Sequence, residues 1–405
     1  MTQRVLFAWE LGANFGHILR DLPLAKALRD LGNEVSFAVR DPGVAEEFLQ
    51  PEGFVHLPVP KPAARPRRLQ SSPVSYAEIL VESGYLDGST LAGLVRQWLN
   101  LFTLVQPTAI VIDHAPTALL AARIRGIPAA LLGTGFEIPP DATPCPSIVP
   151  WEQIPAQRLE MAERAVVQSI NSTLRTHKCK PVASVSQLFT ETFGFLTTFA
   201  ELDHYGARRG REYIGPIHAE PRGPSIEWPP APGRKVLAYL RPESAHLDAL
   251  LPALEASEAT SICVIPRLAP ALAKRLEGTR ARLLVHAVPI QHLIGSADLI
   301  VSYGGAGTIA ASLLAGVPML LVPRLVEQTM GCLAVERLEA GIVIKRQPTH
   351  DSLREGLHAL LREERWRDAA RRFSRQYAGF NAEAGILRAA AAICALATQR
   401  AQTAT

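Results

Sequence analysis

Short apolar runs alternate with helical segments along this chain, and the alternation occurs in two separate series. The strand-like runs of the first half are Arg4–Trp9, Val35–Val39, Ala109–Ile112 and Ala129–Leu132. Those of the second half are Val236–Leu240, Ser261–Ile265, Leu283–Val288, Leu299–Ser302, Met319–Val322 and Ile342–Ile344. Alternation of this kind is typical of parallel sheets whose two faces are covered by helices. The sequence therefore predicts the α/β class, with two doubly wound, Rossmann-like domains.

A proline-rich segment separates the two series. The chain has 405 residues, more than one domain usually contains, and Pro216–Arg234 carries six prolines and two glycines that resist both helix and strand. We therefore predict an N-terminal domain over 1–215, a linker over 216–234, a C-terminal domain over 235–380 and a C-terminal helix over 381–405. That helix can pack back on the N-terminal domain or on the other one. The long segment Phe136–Tyr205 shows no series of strands.

Composition and charge exclude several classes of protein. Hydrophobic residues make up 48% of the chain and charged residues 20%, which excludes a disordered or fibrous protein. The formal net charge of +4 is too small for a nucleic-acid-binding surface. The five cysteines form no CxxC pair, and only five apolar residues precede Glu10, too few for a signal peptide. We therefore expect a cytoplasmic protein that acts on small molecules, and the sequence does not indicate its oligomeric state.

The uncharged run Leu299–Pro323 is long enough to span a bilayer, but glycines and a proline interrupt it. It is better interpreted as a strand, a glycine turn, a helix and a second strand. At such a turn backbone N–H groups can approach an anion, and the helix dipole favours negative charge there. The hydroxyl of Thr308 adds a donor at the start of the helix. These features predict a phosphate site, although a tight turn without any ligand would have the same pattern.

The segment Val301–Thr308 (VSYGGAGT), followed by AGVP at 315–318, Glu327-Gln328 and Ala340-Gly341, resembles the donor-binding signature of glycosyltransferase family 1. This family contains plant UDP-glycosyltransferases and bacterial macrolide glycosyltransferases. Upstream, Val288-Pro289 resembles the family's loop before that motif, and Gly16-His17 is similar to its N-terminal Gly-His. The resemblance implies the GT-B architecture, in which two Rossmann-like domains bind the acceptor and the nucleotide sugar.

The resemblance also implies roles for individual residues. His17 corresponds to the family's general base, and Asp113 to the acid that orients it. The residues that correspond to the donor site are Val288, Tyr303, Gly304, Gly305, Gly307, Thr308, Glu327 and Gln328. Two positions depart from the family: Tyr303 replaces a histidine that contacts phosphate, and Ala287 replaces an aromatic residue that stacks on the base. Arg241, directly after a predicted strand, can supply compensating positive charge or simply face solvent.

A base is needed because an acceptor hydroxyl must lose a proton when it attacks a sugar. A histidine with the ordinary pKa of about 6.5 can take that proton at neutral pH, and a carboxylate on its other nitrogen fixes the tautomer. Taken singly, His17 is also compatible with an exposed structural role, and Asp113 with a cap on the helix near Thr117. No motif selects the neighbouring His114. The pairing with the downstream signature favours the catalytic interpretation of His17 and Asp113.

These observations predict an inverting, metal-independent transfer of a hexose or deoxyhexose to a hydroxyl of a small acceptor. The donor is a nucleoside diphosphate sugar, with UDP or TDP as carrier, and no other cofactor is expected. No metal site is expected, because the histidines lack ligand spacing and the acidic triplet Glu201-Leu-Asp203 is interpreted as a surface loop. Two alternatives stay open: a catalytically decayed GT-B helper protein, and a dinucleotide-dependent oxidoreductase suggested by Gly305-x-Gly307-x-x-Ala310.

Overall fold

The computed structural model describes residues 2–13, 15–62, 69–219, 223–242, 247–270, 273–274, 281–345 and 349–403. The chain divides into two compact units, one formed by Met1–Ala219 with Asn381–Thr405 and the other by Glu220–Phe380. The first boundary falls inside the predicted linker, whose described residues form neither helix nor strand. Both units contain a parallel sheet with helices, so the predicted α/β class is confirmed.

The N-terminal unit has a seven-stranded sheet in the order β3-β2-β1-β4-β5-β6-β7. Its strands are β1 Arg4–Trp9, β2 Glu34–Val39, β3 Val55–Pro58, β4 Ala109–Asp113, β5 Ala129–Gly133, β6 Gly194–Leu196 and β7 Glu212–Tyr213. Its helices before the linker are α1 Gly16–Asp30, α2 Pro42–Phe48, α3 Tyr76–Leu80, α4 Gly88–Val105, α5 Pro116–Arg125, α6 Ala156–Thr176 and α7 Gln187–Thr190. Strand β6 lies in the segment for which the sequence indicated no strand.

The central strand β1 explains how this unit is layered. Successive side chains of a strand point to opposite faces, so Phe7 and Trp9 join one core and Leu6 and Ala8 join the other. The first core is shared with α1, and the second with α4, α5 and α6. In the parallel register Trp9 lies beside Asp113 at the carboxyl ends of β1 and β4. The loops that follow these two strands therefore start side by side.

The C-terminal unit has a six-stranded parallel sheet in the order β10-β9-β8-β11-β12-β13. Its strands are β8 Lys235–Tyr239, β9 Thr260–Val264, β10 Arg282–Leu284, β11 Leu299–Ser302, β12 Met319–Leu321 and β13 Gly341–Val343. Its described helices are α8 Leu247–Ala256, α9 Gln291–Ser296, α10 Ala306–Leu314, α11 Val326–Arg337, α12 His350–Arg362 and α13 Glu364–Gln376. Strands β8 and β11 are neighbours in the sheet but distant in sequence, so the strand order reverses between them. Open α/β sheets commonly bind ligands at such a reversal, beyond the carboxyl ends of the strands.

The last helix, α14 Ala382–Thr403, returns to the N-terminal unit. Its Ala389, Ala390 and Ile393 are buried in the core shared with α1. Gly385 allows the close approach, because a Cβ at this position would lie 2.7 Å from the backbone oxygen of Ile214. The uncharged run at 299–323 forms β11, α10 and β12 as expected, and among the described helices none has both the length and the apolar character of a membrane span.

Candidate active site

His17 and Asp113 meet at the carboxyl ends of β1 and β4. His17 lies in the first turn of α1, and its Nδ1 is 2.9 Å and 3.0 Å from the two carboxylate oxygens of Asp113. Asp113 is fully buried, whereas the His17 side chain retains 11% of its exposure. The ring of Trp9 stacks on the imidazole, with centroids 5.1 Å apart. The structure thus forms the pair that the sequence predicted from residues 96 positions apart.

The other ring nitrogen of His17 lies beside Gly12. A Cβ at Gly12 would be only 2.5 Å from Nε2, and the backbone there has φ +85°. Glycine is required at this position for two reasons. An L residue rarely adopts that φ, and its side chain would cover Nε2 of His17. Gly12 is exposed. Gly12 consequently places no side chain over Nε2, as a base needs.

A buried arginine also holds the Asp113 carboxylate, through an oxygen that His17 contacts as well. Arg20 lies one helical turn after His17 on α1, and its Nη2 donates a hydrogen bond to Asp113 Oδ1. Its Nη1 donates to Glu137 Oε1 at 2.8 Å. Glu137 follows β5, and its Oε2 accepts hydrogen bonds from the backbone N–H and the hydroxyl of Thr134. The cluster of charges thus combines α1, which follows β1, with the last residue of β4 and the loop after β5, and these three strands are neighbours in the sheet.

The charges of this cluster reinforce one another. Burial alone would raise the pKa of Asp113, but Arg20 and then His17 outweigh it and hold that pKa below its usual value. Burial likewise opposes ionisation of Glu137, and Arg20 reverses the effect, so the pKa of Glu137 is lowered. The two carboxylates in turn raise the pKa of Arg20 against its own burial. Asp113 is therefore an ionised partner for His17.

Asp21 differs from the other carboxyl groups of the cluster. It is fully buried, and neither of its carboxylate oxygens has a hydrogen-bond partner among the described residues. Burial first, and then the negative charge of Asp113, raise the pKa of Asp21 well above its usual value. The protonated form of Asp21 is therefore favoured compared with that of an exposed carboxyl group.

The cluster contains residues that could hold a metal ion. Ligand atoms of His17, Asp113 and Glu137 lie within 4.8 Å of one another. The guanidinium of Arg20, however, already bonds both carboxylates and supplies a positive charge between them. A cation in this position would have to displace Arg20, so the donor set does not fit a metal centre as it stands.

His114, for which no sequence motif was found, lies next to the pair. Its ring centroid is 6.1 Å from that of His17, and its backbone has φ +47°. Burial lowers the pKa of His114 to about 4, and its Nε2 has no partner among the described residues.

Capping of α5 by Asp113, the alternative considered from the sequence, does not occur: Glu10 accepts the N–H of Thr117 at 2.9 Å. Burial raises the pKa of Glu10 to about 7.

The glycine turn of the C-terminal unit joins β11 to α10. Gly304 has φ +84°, and a Cβ there would collide with Cys332 Sγ on α11. Gly305, with φ −65°, is the residue before α10, and within the described residues no side chain caps that helix end. Gly307 lies in the first helical turn and Thr308 next to it is buried. The first N–H groups of α10 are thus left for another acceptor.

Arg241 and Tyr303 follow the neighbouring strands β8 and β11. The Arg241 guanidinium lies over the Tyr303 ring, 4.9 Å from its centroid. Burial raises the pKa of Tyr303, and the charge of Arg241 opposes this. The structure therefore brings the predicted positive charge to the glycine turn.

The remaining predicted donor residues are placed differently. Glu327 and Gln328 lie in the first turn of α11, but the side-chain oxygen of Gln328 accepts the backbone N–H groups of Arg324 and Leu325 at 3.1 Å and 3.2 Å. That oxygen caps its own helix, which leaves the amide nitrogen as the group for a ligand. The side chain of Val288 is buried, so only its backbone can face a ligand.

Comparison with known proteins identifies the activity. Residues 267–386 match the family described as "Erythromycin biosynthesis protein CIII-like, C-terminal domain". A "PGL/p-HBAD biosynthesis glycosyltransferase" of Mycobacterium tuberculosis is 24% identical, across 93% of this chain and 90% of the relative. A "PGL/p-HBAD biosynthesis rhamnosyltransferase" of Mycobacterium bovis is 25% identical, across 93% and 86%. The solved "Spinosyn Rhamnosyltransferase SpnG" superposes with a TM-score of 0.67 at 17% identity, covering 96% of this chain and 99% of that one. The protein is a glycosyltransferase of the GT-B fold.

This identification confirms the resemblance inferred from the glycine turn and sets aside the oxidoreductase alternative. Sequence reasoning nevertheless missed part of this glycosyltransferase's cluster, namely Arg20, Asp21 and Glu137. One signal was present for Arg20: it is three residues after His17, so both side chains lie on one helix face. Asp203 was also misjudged, because it is fully buried and paired with Arg208 at 2.8 Å and is not part of a surface loop.

Proposed function

We propose that this glycosyltransferase inverts the anomeric centre while moving a hexose or deoxyhexose from a nucleoside diphosphate to a hydroxyl of a small acceptor. The observation that carries the proposal is the His17–Asp113 pair, whose Nδ1 is bonded to a buried carboxylate while Nε2 lies at the open Gly12 turn. This arrangement fits a general base for an alcohol.

One displacement step accounts for the chemistry. The acceptor O–H gives its proton to Nε2 of His17 as its oxygen attacks the anomeric carbon. The bond from that carbon to the diphosphate oxygen breaks, and the diphosphate leaves with the bonding electrons. Asp113 stabilises the imidazolium that forms. A single attack from the face opposite the leaving group inverts the configuration.

The leaving diphosphate needs stabilisation, and residues of the C-terminal unit can supply it without a metal. The uncapped N-terminus of α10 offers backbone N–H groups and the positive end of its dipole. Arg241, held against Tyr303, adds a full positive charge near the same turn. Such groups stabilise charge that develops in a transition state.

A TDP-linked deoxyhexose is the donor that the relatives favour. One relative is named as a rhamnosyltransferase, and the spinosyn rhamnosyltransferase has been solved with thymidine diphosphate and with spinosyn aglycone. Ala287 stands where the family has an aromatic residue that stacks on the base. Recognition of the base by this chain must therefore rest on other contacts. Calorimetry with TDP, UDP and GDP tests the carrier. Binding of none of them by the folded protein would contradict the proposal and support a decayed helper protein.

The stereochemistry and the metal requirement are tested in one reaction. We expect the NMR coupling constant between the anomeric carbon of the product and its hydrogen to show the configuration opposite to that of the donor. We also expect the same turnover in EDTA as with added Mg²⁺. Retained configuration would contradict the single displacement, and loss of turnover in EDTA that Mg²⁺ restores would contradict the metal-independent mechanism.

A further inference from the structure

We propose that Arg20 and Glu137 are positioning residues, which fix the Asp113 carboxylate against Nδ1 of His17 and set the charge around the imidazole. The inference rests on the proposed role of His17 as the base. It assigns a function to a buried ion pair that the displacement step itself does not use.

Geometry supports the positioning role. Arg20 and Glu137 retain only 7% and 3% of their side-chain exposure, and one guanidinium bonds the carboxylates of both Asp113 and Glu137. Glu137 is fixed in turn by Thr134, through the backbone N–H at 2.9 Å and the hydroxyl at 3.0 Å. Asp113 therefore cannot rotate away from His17 without also breaking its bond to Arg20, whose guanidinium is held in turn by Glu137.

Arg20 also constrains the tautomer of His17. Its Nη2 lies 3.1 Å from Nδ1, and a guanidinium can only donate hydrogen bonds. While Asp113 is ionised, Nδ1 donates to Asp113 and Nε2 is free to take a proton. If Asp113 lost its charge, Arg20 could donate to Nδ1, and the ring proton would move to Nε2. The arginine thus makes the base depend on an ionised Asp113.

The charges facing His17 are otherwise nearly balanced. At neutral pH Arg20 carries one positive charge, and Asp113 and Glu137 carry one negative charge each. Burial lowers the pKa of the neighbouring His114 to about 4, so that histidine is neutral, and burial together with the charge of Asp113 raises the pKa of Asp21. Arg20, Asp113 and Glu137 together therefore carry one net negative charge, which a proton on His17 would neutralise. Removal of Arg20 or of Glu137 must shift that balance in opposite directions.

The test follows the protonation of His17 by ¹⁵N NMR and measures kcat across pH in the same variants. Arg20→Met should move the midpoint of the His17 titration upward by about 1–3 pH units, the usual effect of a neighbouring charge. Its turnover at pH 7 should fall in step with the larger protonated fraction of His17 and recover at higher pH. Glu137→Gln should move the midpoint downward. Arg20→Lys keeps the charge but not the two-pronged contact, so its midpoint should stay while kcat falls at every pH.

Arg158→Met is the matched control, because Arg158 pairs with the buried Glu78 at 2.7 Å outside the cluster. It should lower stability and leave the His17 midpoint in place. If Arg20→Met and Glu137→Gln also leave the midpoint in place, or if Arg20→Met fails to fold and Glu137→Gln leaves it in place, the positioning role is wrong. If the midpoints move as expected but kcat does not follow them, the charge network is supported and the role of His17 as the base is wrong.

Discussion

At the scale of single residues, the two adjacent glycines of the β11–α10 turn have different tasks. At Gly304 the backbone has φ +84°, and a Cβ would collide with the sulfur of Cys332. Gly304→Ala should therefore destabilise the C-terminal unit by about 1–3 kcal/mol. Cys332→Ala should restore part of that loss. The measurement is thermal unfolding of the single and double variants.

Gly305, in contrast, has a φ of −65°, which other residues adopt without strain. A Cβ there would meet only the Tyr303 ring at 3.2 Å. Gly305→Val should therefore fold, yet lose nucleotide binding in calorimetry because the branched side chain would cover the phosphate site. Unchanged nucleotide affinity in folded Gly305→Val would contradict the phosphate assignment.

Buried His114 should make stability depend on pH. Its pKa is about 4 in the folded state against 6.5 for a free histidine, so between these values the unfolded state binds more protons. The free energy of unfolding is therefore highest above pH 6.5, where His114 is neutral in both states. It falls by roughly 3 kcal/mol as the pH decreases from 6.5 to 4. His114→Asn tolerates the positive φ and should remove this dependence.

Hydrogen exchange of the β1 and β4 amides at several pH values measures the effect, since these central strands report the opening of the N-terminal unit. An equally steep loss of stability between pH 6.5 and 4 in His114→Asn would show that another group is responsible.

At the scale of elements, the sequence predicts what depends on local periodicity. The apolar run of β1 and the glycine turn before α10 were both found where expected. The missed strands β3, β6 and β7 have only four, three and two residues, too few for a clear pattern. The Arg20–Glu137 pair joins residues 117 positions apart through the order of the strands, which no local pattern contains.

Helix α14 gives a prediction at the same scale. Because a Cβ at residue 385 would lie 2.7 Å from Ile214 O, Gly385→Val should loosen the helix from α1 and expose the core that includes Ile393. We expect a lower melting temperature for the N-terminal unit and unchanged nucleotide affinity, because the donor residues belong to the other unit. Gly379→Ala, where a Cβ meets nothing within 4 Å, is the matched control. A Gly385→Val protein with the parent melting temperature would contradict this packing.

At the scale of the whole molecule, the two proposed tasks lie in different units. His17 and Asp113 belong to the N-terminal unit, and the glycine turn with Arg241 belongs to the C-terminal one. The sequence could assign these tasks only through the family resemblance, because the motif in the second unit is long and specific while His17 alone is not. Binding of the donor and activation of the acceptor should therefore be separable by mutation.

His17→Ala tests this separation most directly. Calorimetry should give the parent affinity for the nucleotide, while turnover with an alcohol acceptor should fall by about 10²–10⁴, the usual contribution of a positioned general base. A thiol acceptor, which loses its proton without help, should be affected far less. If His17→Ala transfers sugar to an alcohol at the parent rate, His17 is not the base and the mechanism is wrong.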